Sequence, residues 1–159
     1  MKLLLENWRK HLLKEAQVKF SGILKLMPDP DVTAEAIRLQ GQIIEQDPEM
    51  VPLPEDKLHV TLAHQSVLKP FRKILKNMEL PPPPSVSLNP KIKIAVEGDK
   101  KSYFVEVNEQ EELRNYINEV MTMAGGAPDP EPGRIFHISL TNRTGNPGDS
   151  IAYTWEFMK

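Results

Sequence analysis

The sequence predicts an α+β fold of two similar lobes, each a small, mostly antiparallel sheet flanked by helices, with a central cleft between them. Three observations point there. A series of strand, helix, proline–acid loop and histidine-bearing strand occurs between Val18 and Leu62 and recurs between Tyr103 and Leu140. Hydrophobic residues make up 40% of the 159 positions, enough for one packed core and too many for global disorder. Fifteen prolines, mostly clustered, cut the chain into short elements.

The elements follow in order. Leu5, Trp8, Leu12 and Ala16 recur at helical spacing, so residues 1–16 are expected to form an amphipathic helix, packed on the domain or facing a membrane surface or partner. Residues 17–159 are expected to form a single bilobal domain. Val18 to Met27 reads as a strand closed by Pro28-Asp29-Pro30, and Asp31 can cap a helix to about Gln46 with Val32, Ala36, Leu39 and Ile43 along one face. The loop Pro48 to Glu55 leads to a short strand, Leu58 to His64. Pro70 can open a helix whose stripe is Phe71, Ile74, Leu75 and Met78. Pro81 to Pro84 forms a stiff connector. Strands are expected at Ser85–Val96, interrupted by Asn89-Pro90, and at Tyr103–Val107, with Glu97-Gly98-Asp99 beginning the turn between them. A helix from about Glu109 turns Leu113, Ile117, Val120 and Met123 inward and ends at Gly125-Gly126. A second proline–acid loop, Pro128 to Gly133, precedes a strand from Ile135 to Leu140, and Ile151 to Phe157 reads as a weak closing strand.

The chemistry sits on the two short strands, His59-Val60-Thr61-Leu62 and His137-Ile138-Ser139-Leu140. Alternation sets His59 and Thr61 opposite Leu58, Val60 and Leu62, and sets His137 and Ser139 opposite Phe136, Ile138 and Leu140. Each strand thus offers an imidazole and a hydroxyl on one face, about 6.6 Å apart. Facing lobes would bring all four groups to one cleft. A neutral imidazole can take a proton from an attacking hydroxyl while a protonated one supplies the leaving oxygen, because a pKa of ~6.5 permits both forms near neutrality. Thr61 and Ser139 can donate to the non-bridging phosphate oxygens, where charge builds in the transition state. Neither a carboxylate cluster nor a zinc spacing accompanies the histidines, so no metal and no cofactor is expected.

These paired motifs resemble the 2H phosphoesterase superfamily, named for two H-x-T/S motifs on pseudo-symmetric lobes (the LigT-like fold), over about Val18 to Leu140. The resemblance implies that His59 and His137 are the acid–base pair and that Thr61 and Ser139 bind phosphate. Serine replaces threonine in the second motif, as the family tolerates. Length and the Gly/Pro-rich stretch from Phe136 to Ser150 look most like the small phage members, among them the anti-CBASS enzymes that linearise cyclic oligonucleotide signals of bacterial immunity. The implied function is metal-independent phosphodiester cleavage of a cyclic di- or trinucleotide or short oligonucleotide in the cytoplasm, the host's if the chain is viral. RNA 2′,3′-cyclic or 2′,5′-oligonucleotide phosphodiesterase activity is the alternative within enzymes. A non-catalytic cyclic-nucleotide sponge is the alternative outside them, although sequestration needs no acid–base pair.

Further substrate-binding candidates are Lys57 and Arg143, which share the histidines' strand parity if the strands extend that far, and Phe20, which could stack on a base. Tyr153, Trp155 and Glu156 could form a base-recognition patch. Surface solvation, core packing and a plain closing strand are the competing roles. His64, out of phase with His59, and His11 on the first helix read as bystanders. A net charge of −2 and pI near 6.1 exclude a broad cationic grip on long nucleic acid. No apolar run approaches the ~20 residues of a membrane span, so stable membrane association is not expected. With no cysteine there is no disulfide, thiolate zinc site or cysteine nucleophile.

Overall fold

A computed structural model describes residues 16–151 and gives an α+β fold. The helix expected over residues 1–16 and the closing strand with Tyr153, Trp155 and Glu156 lie outside the described residues, apart from Ala16 and Ile151.

The first expected strand is instead a hairpin, β1 (Gln17–Phe20) and β2 (Leu24–Met27). Ser21-Gly22 makes the turn, and Gly22 takes a φ of 92° that a side chain would oppose. Helix α1 (Pro30–Gln46) begins two residues earlier than expected. Its cap is Asp29, whose carboxylate accepts from the Val32 amide at 2.8 Å, and Pro30 opens the first turn. Within the proline-rich loop a two-residue strand, β3 (Val51–Pro52), precedes a 3₁₀ turn at Glu55–Lys57 and β4 (Val60–Ala63). The helix expected at Pro70 is broken into α2 (Gln65–Leu68), a 3₁₀ turn and α3 (Arg72–Asn77), because Pro70 supplies no amide to a continuous ladder. Leu75 is buried there, but Ile74 is exposed.

Only Lys93–Glu97 of the proline-interrupted stretch forms a regular strand, β5, before the turn at Gly98 and β6 (Lys100–Glu106). Upstream of Asn89-Pro90, Leu88 makes an isolated bridge to Val107. Helix α4 (Gln110–Met123) buries Leu113, Tyr116, Ile117, Val120 and Met121, leaving Met123 outside the stripe and half exposed. It ends as expected: Gly125 is left-handed, and the Gly126 amide reaches back to the Met121 carbonyl. Strand β7 (His137–Asn142) follows.

All strand pairs are antiparallel, in one sheet ordered β1-β2-β4-β7-β6-β5, with β3 also beside β7. Leu24, Leu26, Val60, Leu62, Val105, Ile138 and Leu140 face α1 and α4 in a continuous core. Among the described residues no helix is long and apolar enough to cross a membrane.

One buried amide ties helix to sheet. Gln40 Nε2 donates to the Leu53 carbonyl at 3.0 Å and to the Leu140 carbonyl at 2.8 Å. Gln40→Leu keeps the volume but strands the Leu53 carbonyl and leaves the Leu140 carbonyl only the Leu53 amide, so it is expected to cost about 1–3 kcal/mol in urea-unfolding free energy. An unchanged denaturation midpoint would show that the two carbonyls find other donors.

Candidate active site

The two histidine strands meet in the middle of the sheet. Their shared register pair is Val60↔Ile138. The strand expected from Leu58 begins only at Val60, so His59 stands just before β4. Continuing the antiparallel register by one residue each way sets Thr61 across from His137 and His59 across from Ser139, with side chains on the face away from α1 and α4. Directly opposed Cβ atoms lie about 4.5–5.5 Å apart and diagonal neighbours about 7–8 Å, so the two imidazoles are diagonal partners. His59, Thr61, His137 and Ser139 line one cleft of about 220 Å³.

The two rings are held alike. His59 Nδ1 lies 2.7 Å from the Lys57 carbonyl, and His137 Nδ1 lies 2.9 Å from the Ile135 carbonyl, two residues back in each case. A carbonyl can only accept, so each Nδ1 carries hydrogen and each neutral ring keeps its lone pair on Nε2. The Thr61 hydroxyl lies 3.2 Å from His59 Nε2. Phe104 of β6 packs edge-on against His137, centroids 5.3 Å apart, and fixes the second ring plane. Gln110 at the start of α4 anchors that strand: its Nε2 donates to the Phe136 carbonyl and its Oε1 accepts from the Phe136 amide.

Burial lowers both imidazole pKa values, since desolvation penalises the cation. His137 is pushed down to about 4, chiefly by burial and further by the positive charges of Arg134 and His59, against the Ile135 carbonyl and Glu106. His59 is lowered by burial, then by Lys25 and Lys57, against the Lys57 carbonyl. The environment therefore separates two groups that look equivalent in sequence.

Both histidine strands carry a β-bulge, and the bulges correct two sequence expectations. On β4, Lys25↔Thr61 is followed by Leu24↔Ala63, so Leu62 is the extra residue. Leu62 and Ala63 both turn to the core, and His64 returns to the cleft, which it lines. His64 is therefore no bystander by position; its Nδ1 accepts from the Ser66 amide and caps α2. On β7, Phe104↔Ser139 is followed by Tyr103↔Thr141, so Leu140 is the extra residue. The parity flips, and Arg143 leaves the cleft face for Glu49, 3.7 Å away.

Lys57 lines the cleft, though from the 3₁₀ turn rather than a strand. Phe20 does not line it: pairing with the inward Leu24 turns Phe20 toward the core. Lys25 and Arg134 escaped sequence reasoning. Lys25 had a legible signal, alternating with Leu24 and Leu26 on the strand that pairs with β4. Arg134 had none, because it sits in the loop before β7, where no periodicity applies.

Among the described residues no three His, Cys, Asp or Glu side chains cluster in a way that could hold a metal ion. Comparisons of the chain with family models, with curated proteins and with solved structures find no match.

Proposed function

We propose that the protein is a 2H-type phosphodiesterase that cleaves a cyclic oligonucleotide or short oligonucleotide with its two imidazoles and without a metal. The observation that carries this reading is the common cleft: two distant histidines, each with Nδ1 tied to a carbonyl and Nε2 unprotonated when neutral, share it with two hydroxyls. A two-fold relation between the lobes is supported by strand order, since β1-β2-β4 and β5-β6-β7 mirror each other across the Val60↔Ile138 pair. The bulges support it further, each falling on a leucine three residues past its histidine.

In this mechanism His137, the ring held neutral, takes the proton of a ribose 2′-hydroxyl. The new O2′–P bond forms as the P–O5′ bond breaks, and protonated His59 gives its proton to the departing O5′. Thr61 and Ser139 donate to the non-bridging oxygens, and the Thr61 hydroxyl leaves His59 Nε2 to do so. The product is a linear chain ending in a 2′,3′-cyclic phosphate. Water can then be activated by the same pair with the proton roles reversed, which is also the chemistry of a 2′,3′-cyclic phosphodiesterase. That second reading is favoured by the size of the cleft, about 220 Å³, below the roughly 300–1,000 Å³ of ordinary ligand pockets and so better matched to the smaller substrate.

Incubation with a cyclic dinucleotide in EDTA, followed by chromatography of the products, tests the proposal. Many turnovers to linear products are expected. Stoichiometric loss that is recovered intact after denaturing the protein would identify a sponge instead.

A further inference from the structure

The cleft has near-equivalent groups at its centre and unlike groups at its ends. Antiparallel register places the end of β4 beside the start of β7, and there stand His64, Glu131 and Arg134. At the other end the approach to β4 meets the end of β7. Leu53, whose amide donates to the Leu140 carbonyl, stands there with Pro147 and Ile151. The Ile151 amide donates to Ser102 Oγ at 3.0 Å, and Ser102 pairs with Asn142, which fixes this wall to the last residue of β7.

Arg134 is the unusual group. Its side chain is only 9% exposed, a costly place for a cation unless it is paired. Glu131 pairs it, accepting from Nε at 3.0 Å and from Nη2. The other oxygen of Glu131 accepts from the His64 amide, so the carboxylate joins the end of β4 to the loop before β7. Arg114 holds the same loop by donating to the Arg134 carbonyl at 2.9 Å. Nη1 meets no hydrogen-bond partner among the described residues. A guanidinium held on one edge, with two hydrogens left on the other, is preorganised for an oxyanion. The second cation lining the cleft, Lys57, is exposed at the opposite end.

We propose that the cleft has a direction: Arg134 receives a second phosphate of the substrate, while a nucleobase lies against Leu53, Pro147 and Ile151. This assignment rests on the phosphodiesterase reading of the same cleft. It specifies a substrate class, nucleotides with a phosphate on each side of one ribose unit, in preference to a lone terminal cyclic phosphate.

Calorimetric titration of adenosine 5′-monophosphate and adenosine 3′,5′-bisphosphate tests it without turnover, so absence of cleavage and failure of this assignment are seen separately. The wild-type protein is expected to bind the bisphosphate about tenfold more tightly, the scale of one charge-assisted contact. The double variant Glu131→Gln/Arg134→Met removes both charges together and leaves an acceptor for the His64 amide. Its preference is expected to fall below about twofold. Arg134→Lys, which keeps the charge, is expected to retain part of it. Equal affinities in the wild type, no binding of either ligand, or a preference that survives the double variant and vanishes in Lys57→Ala would each overturn the assignment.

Discussion

Replacing His59 or His137 with alanine is expected to slow phosphodiester cleavage by roughly 10²–10⁴-fold each, with the double variant falling far short of the product of the two losses. The reason is geometric. The rings are diagonal neighbours across one register pair, and in the proposed mechanism they act on opposite oxygens of one phosphorus, so removing either would disable the concerted transfer. Single-turnover rates on a cyclic dinucleotide measure the effect. The unfolding midpoint of each variant separates lost chemistry from lost packing, a needed control for His137, whose ring is packed against Phe104. Losses that multiply fully would mean that the histidines serve independent steps.

The second large effect concerns pH. In the proposed mechanism the productive free protein has one ring neutral and the other charged. His137 is held at about 4 and His59 below its ordinary ~6.5, both mainly by burial. Between those limits His137 is neutral and His59 can carry its proton. The profile of kcat/KM is therefore expected to peak on the acid side of 6.5, falling about tenfold per unit above the His59 pKa and again below about 4. Stability moves the other way. The unfolded chain protonates its histidines near 6.5, whereas folded His137 resists until about 4, so stability present above 6.5 is lost as pH falls through that window. The His137 share is about 3 kcal/mol, on the scale of 1.36 kcal/mol per pKa unit. A rate that climbs steadily into alkali would point to hydroxide attack and away from paired imidazoles.

Much of this site was legible in the residues. Strict alternation around His59 and His137 places four polar groups on one face, and it holds for four residues, His59 to Leu62 and His137 to Leu140. It fails at the fifth, Ala63 and Thr141, because the leucine before each is an extra residue opposite the neighbouring strand. Alternation counts residues along one strand, whereas a bulge is decided by the strand beside it, so alternation alone sets His64 and Arg143 on the wrong faces. The hairpin at Ser21-Gly22 was missed for a different reason: the apolar residues on both sides of the turn read as one continuous strand. Helices α1 and α4 follow their apolar periodicity closely, apart from Met123, because each packs a single stripe against the sheet. Arg134 illustrates the remaining gap: its importance comes from burial and from Glu131, neither of which leaves a pattern in the chain.

The contact between β4 and β7 carries a consequence for dissection of the molecule. Each side of that seam owns one imidazole and one hydroxyl, and a single rung registers them. If the proposed mechanism holds, a polypeptide cut within Pro81–Pro84 would yield two pieces that are each chemically mute, and cleavage would return only on their reassociation. The reaction can thus report, by itself, whether two separately made pieces have found each other.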